Sequence, residues 1–256
     1  MRRSLIAMTV AAGVLIATAP VFTITNGTPD GGAHPYVGIA LQPAPGGGFF
    51  VCSGTALSPT VFLTAAHCFD PTQPALVSYG QQPPFTVVSG TFHPHPDWCL
   101  GCGPGLPGFD THDVAVITLN APLNPGAFAV LPTPGLVDSL PMRTPVDVVG
   151  YGVQGFIRGG GQPQQIFSAI RYFARTELIQ SNNRSSREFI KLTANPSKGT
   201  GGTCFGDSGG PDILGNTDTV LAVNSYVTNS NCSGVTYSNR VDLPDILAFI
   251  NSFLMS

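Results

Sequence analysis

The chain runs to 256 residues, 43% of them hydrophobic and only 10% charged, with a formal net charge of -3. That balance excludes a solvated disordered chain and leaves enough apolar material for one large domain or two small ones. The few basic residues are scattered, which excludes the concentrated cationic face of a nucleic-acid or anionic-membrane binder.

Arg2 and Arg3 open the chain, Leu5–Ile16 is apolar, and Ala17-Thr18-Ala19 is a small-residue cleavage signal. This is the order of a signal peptide over residues 1–19, and the Arg pair is compatible with twin-arginine export. The apolar run is short against the ~20 residues of a membrane span. Secretion to the extracellular side is therefore predicted, with no membrane segment after signal removal. Six cysteines in an exported chain predict three disulfides, and their number alone leaves 15 pairings open.

Short or alternating apolar runs follow at Tyr36–Leu41, Val61–Ala65, Phe85–Val88, Val114–Leu119, Val146–Val149, Phe189–Thr193 and Val220–Val223. Turn-rich pieces separate them at Pro43–Gly48, Gly101–Gly108, Gly159–Pro163 and Pro196–Gly202. With 31 Gly and 24 Pro, the pattern predicts an all-β chain rather than alternating βαβ units. Only the end has helical spacing. Ile246, Leu247, Phe249, Ile250, Phe253 and Leu254 fall on one stripe, with Asp242 and Pro244 as start signals.

Three segments carry candidate chemistry: Thr64-Ala65-Ala66-His67-Cys68, Thr111-His112-Asp113-Val114-Ala115-Val116, and Cys204-Phe205-Gly206-Asp207-Ser208-Gly209-Gly210-Pro211. A serine hydroxyl is a weak nucleophile and needs an imidazole base, which in turn needs a carboxylate to fix its tautomer. In the order His, Asp, Ser, these segments resemble the trypsin/chymotrypsin family of serine proteases, from about Ile24 to the C-terminal helix. His112 adjoins Asp113, but neighbours in a strand face opposite ways, so His112 is read as a surface residue.

The resemblance implies two six-stranded antiparallel Greek-key β-barrels, with the active site between them and a C-terminal α-helix. The first barrel would span about 24–125, the second about 126–242 and the helix 243–255. It implies a secreted endopeptidase with Ser208 as nucleophile, His67 as base then acid, and Asp113 orienting His67. The backbone N–H groups of Gly206 and Ser208 would form the oxyanion hole. Cys52–Cys68 and Cys204–Cys232 match the family's disulfides beside the histidine and the specificity pocket. Ile24-Thr25-Asn26-Gly27 occupies the place of the new N-terminus, so residues 20–23 read as a short propeptide and the freed Ile24 ammonium would pair with Asp207.

The pocket is assigned to Gly202, Thr203, Phe205, Ser225, Tyr226 and Val227. Gly202 stands where an acid would confer Lys/Arg preference, and Val227 narrows the site, so small or medium apolar P1 residues are expected. Ser225 would support Asp113 through a hydrogen bond. No cofactor and no metal are expected. The partners are protein or peptide substrates and protein inhibitors, with no nucleic acid, and the chain is expected to be a monomer.

Cys99 and Cys102 have no counterpart in the common family framework. A local disulfide is the favoured reading in an oxidising compartment, against a two-His, two-Cys zinc site with His93 and His95. Asn26-Gly27-Thr28 and Asn183-Arg184-Ser185 fit the glycosylation pattern. A catalytically silent scaffold would lack one of the three residues, and the Gly-x-Ser-x-Gly esterase elbow has the order Ser, Asp, His.

Overall fold

The computed structural model describes residues 24–102, 110–157, 164–180, 187–195 and 199–255. The expected signal peptide and propeptide, the piece Gly159–Pro163, the Asn183 sequon, residues 103–108 and residues 196–198 lie outside them.

The described strands, in chain order, are β1 (Thr28–Pro29), β2 (Val37–Pro43), β3 (Phe49–Ala56), β4 (Val61–Thr64), β5 (Ala75–Ser78), β6 (Val88–Pro94), β7 (Ala115–Leu119), β8 (Pro145–Gly150), β9 (Gly155–Ile157), β10 (Gln164–Ile166), β11 (Tyr172–Gln180), β12 (Phe189–Ala194), β13 (Pro211–Leu214), β14 (Val220–Val227) and β15 (Gly234–Arg240). Among the described residues two α-helices accompany them, α1 (Leu136–Ser139) and α2 (Pro244–Leu254). The strands close two antiparallel six-stranded barrels, β2-β3-β4-β7-β6-β5 and β8-β11-β12-β15-β14-β13. Counted in chain order, the strands run first, second, third, sixth, fifth, fourth around each barrel. The two halves share one Greek-key permutation although the sequence shows no repeat.

Alternation builds these strands. In β12, Ile190, Leu192 and Ala194 are buried while Lys191 and Thr193 are half-buried. Phe62, Val77, Phe92 and Ile117 fill the first barrel, and Val146, Val148, Leu178 and Ile190 the second. A third core lies in the seam. There Val37, Leu63 and Val116 meet Val149, Ile213 and Val223, with Ile246 and Ile250 of α2 packed on the same cluster. β7 thus serves two cores, since Ile117 faces the barrel interior and Val116 the seam.

Two expectations need correction. The run Phe85–Val88 is not a strand: β6 starts at Val88, while Phe85 packs separately on the seam core. Asp242 does not cap α2, because its carboxylate is taken by the Arg240 guanidinium and the Val137 N–H. Pro244 does occupy the first turn of α2.

Candidate active site

His67 lies on a 3-10 turn, Ala66–Cys68, directly after β4, and Cys68 is bonded to Cys52 of β3. Asp113 precedes β7, hydrogen-bonded to its neighbour β4, so both residues come from adjacent strands of the first barrel. Ser208 stands in the loop before β13 of the second barrel.

Asp113 is completely buried. Its Oδ1 accepts the His67 main-chain N–H at 2.9 Å, and its Oδ2 accepts the His67 Nδ1–H at 2.7 Å. The Ser225 hydroxyl of β14 donates to the same Oδ2 at 2.5 Å, a bond that crosses the seam. A carboxylate only accepts, so this geometry fixes the proton on Nδ1 and leaves Nε2 with its lone pair. Burial disfavours charge on His67, but Asp113 and, to a lesser degree, Asp110 outweigh it and leave the imidazole more basic than an ordinary histidine. Burial also opposes the Asp113 carboxylate, yet His67 and the hydrogen bonds hold its pKa below the usual carboxylate value.

His67 and Ser208 line one cavity of about 360 Å³, but no hydrogen bond joins them. Thr203, Phe205, Ser225, Tyr226 and Val227 also line it. Gly202 is set back from its wall. It is bridged to Thr25, and a side chain there would strike the Ala194 methyl. Sequence reasoning did not name Leu100 and Asp110, which close the first-barrel side of the cavity.

The serine loop is shaped by close approach. Gly209 has φ +81°, and a Cβ there would overlap the Thr64 hydroxyl and the Ser53 carbonyl. Gly206 has φ +93°, and its Cβ would press on the Gly152 Cα. Ser53 of β3 ties the loop across the seam: its N–H donates to the Ser208 carbonyl at 2.8 Å and its hydroxyl to the Gly206 carbonyl at 3.0 Å. The N–H groups of Gly206 and Ser208 donate to no acceptor among the described residues, whereas those of Asp207, Gly209 and Gly210 are all paired.

Asp207 is fully buried, and its carboxylate accepts N–H groups from Cys204 and Gly152 at 2.8 Å each. Burial still pushes its pKa up to about 7. Ile24 is wholly buried in the second barrel's core, one residue before the Thr25–Gly202 bridge.

His112 has a left-handed backbone, φ +52°, and its ring stacks on His95 and reaches Asp245 of α2. It faces away from the cavity, though through this turn and not through strand alternation. His93 packs on Phe253 and His95 on Phe249, so the two rings face α2, while Cys99 and Cys102 are bonded to each other. The four residues of the zinc reading do not converge. His67, Asp110 and Asp113 bring ligating atoms within 4.8 Å of one another, but Asp113 is already engaged by His67 and Ser225.

A family model described as Trypsin matches residues 28–249. The chain belongs to the trypsin family. Two solved structures are similar to it in fold. The first, an HL collagenase, has 20% identity and a TM-score of 0.69 over 91% of this chain and 99% of that one. The second, GrC, has 18% identity and a TM-score of 0.67 over 91% and 100%. As a trypsin-family member the chain is a serine-type endopeptidase, a hydrolase of protein or peptide substrates. Its described residues include no helix long and apolar enough to cross a membrane, and its third disulfide joins Cys204 to Cys232.

Proposed function

We propose that this trypsin-family chain is a secreted endopeptidase that works through an acyl-enzyme formed on Ser208. What carries the reading is the run of hydrogen bonds from Ser225 through Asp113 to His67, ending on a cavity shared with Ser208. Nε2 of His67 removes the hydroxyl proton as Oγ attacks the scissile carbonyl. The tetrahedral oxyanion is received by the unpaired N–H groups of Gly206 and Ser208, a donor of this kind contributing ~3 kcal/mol to the transition state. The imidazolium returns its proton to the leaving amine, and water repeats the sequence to release the acid. Because His67 and Ser208 are not bonded in the free chain, side-chain rotation on substrate binding completes the contact.

The second barrel's share of the wall, from Thr203 to Val227, has no charged side chain. It suits small or medium apolar P1 residues, and Val227 packs against the Cys204–Cys232 bridge there. Asp207 supports an activation step. A buried carboxylate with two backbone donors gains a counter-charge when cleavage before Ile24 creates an ammonium. The predicted signal peptide and the three disulfides support secretion; the chain is taken to act as a monomer, open to protein inhibitors that occupy the cleft as substrate does.

A fluorophosphonate probe tests the reading. Labelling of the processed wild type but not of Ser208→Ala is expected, with turnover abolished in His67→Ala and largely kept in His112→Ala. Failure to label correctly processed protein would defeat the proposal. A peptide library dominated by cleavage after Arg would overturn the P1 assignment, and full activity in a variant with one residue added before a freed Ile24 would overturn the activation step.

A further inference from the structure

Asp110 is half-buried, and its carboxylate lies within 4.8 Å of ligating atoms of both His67 and Asp113. It also lines the cavity. Its position is set by the short disulfide loop. Gly101 N–H donates to Asp110 Oδ1 at 2.9 Å, and Cys99 and Thr111 exchange two backbone bonds at 3.2 and 3.0 Å. The Cys99–Cys102 bridge ties Cys99, on that backbone ladder, to the residue that follows Gly101.

We infer that Asp110 is a second carboxylate of the catalytic imidazole, a positioning residue that favours the protonated form of His67 and is held in place by the Cys99–Cys102 loop. The inference rests on the assignment of His67 as the base.

The groups around His67 make Asp110 distinctive. Asp113 engages the Nδ1 edge and the main chain, so its orienting role is already filled. From the second barrel the facing side chains are Ser208, Ser225 and Tyr226, and none of them carries a charge at neutral pH. Asp207 turns its carboxylate to Gly152, and Asp97, in the same loop as Cys99, acts on His95. Asp110 is thus the additional anion at the imidazole, and it acts in the direction found for His67. A second negative charge at this distance favours imidazolium over imidazole. It stabilises the acid that expels the amine and also raises the pH needed to recover the base.

The test is the pH profile of kcat/KM for wild type, Asp110→Asn and Asp110→Glu, after active-site titration of each with a fluorophosphonate. In Asp110→Asn the acid limb should move about half a pH unit lower, so that on the limb its rate relative to its own plateau rises about threefold. The plateau should fall less than about tenfold, and Asp110→Glu should restore the wild-type limb. Added salt should lower the wild-type limb more than that of Asp110→Asn, because a half-exposed carboxylate is screened. A titratable Asp110→Asn whose limb superimposes on wild type, or an Asp110→Glu shifted as far as Asp110→Asn, would overturn the inference. An unlabelled wild type would instead defeat the assignment of His67 and Ser208 on which it rests.

Discussion

Asp113 receives three hydrogen bonds, and the third comes from the opposite barrel. Removing the Ser225 hydroxyl leaves a buried charge with one donor fewer, a loss of about 1–3 kcal/mol. Ser225→Ala should therefore lower both unfolding stability and kcat/KM, the latter by about tenfold, read by urea unfolding and steady-state kinetics together. A variant with wild-type kinetics would show that the main-chain and Nδ1 bonds suffice. The same carboxylate bears on the working pH. In the proposed role of base His67 must be neutral, and its pKa lies above the ordinary 6.5, so kcat/KM should fall with falling pH through a midpoint above that value. His67, Asp113 and Ser208 were legible because each is flanked by a short contiguous motif. Ser53 and Asp110 were not: each adjoins a named residue, Cys52 and Thr111, but its own contacts arise only where the two barrels or the 99–102 loop bring it to the site.

At the scale of elements, α2 does more than end the chain. Asp245, Phe249 and Phe253 recur every four residues and meet His112, His95 and His93 in turn. Ile246 and Ile250, on the buried stripe, enter the seam core. Ile250→Ala should cost about 2–5 kcal/mol, measured as a lower urea midpoint. The histidines add an acid sensitivity. Burial lowers the pKa of His93 and His95 below 6.5, so the unfolded chain binds more protons than the folded one once the pH drops under that value. Stability from these two rings is complete above about pH 6.5 and is lost as pH falls toward the lower folded values. Taken from pH 7.5 to 5.5, the urea midpoint of wild type should change less favourably than that of a His93→Gln, His95→Gln double variant, the difference isolating the two rings from groups that titrate the other way. The helix was readable from its stripe, but β6 was not. Gly90 stands at an inward position where a hydrophobic residue would have marked the alternation, so the apolar run before it looked like the strand.

For the molecule as a whole, two buried carboxyls, Asp207 and Asp212, oppose the trend of the histidines. Asp212 of β13 is fully buried, and although Ser238 favours its carboxylate, burial outweighs that and pushes its pKa up to about 7. A folded pKa above the unfolded 3.8 means that stability is lost as pH rises from about 4 to about 7, on the order of 4 kcal/mol. Asp212→Asn should remove that part of the pH dependence in equilibrium unfolding, and an unchanged slope would place it elsewhere. The all-β class and the terminal helix could be read from turn spacing and periodicity. The two Greek-key barrels came through the family resemblance and not through that spacing, because their plan resides in which strands pair and the two halves fill it with unrelated residues. The seam has a developmental consequence. During synthesis the proposed base and its carboxylate emerge at positions 67 and 113, the proposed nucleophile about a hundred residues later at 208, and the helix packed on the junction after both. A growing copy thus keeps the proposed base and nucleophile on separate, undocked halves until both barrels are made, a safeguard that precedes any cut before Ile24.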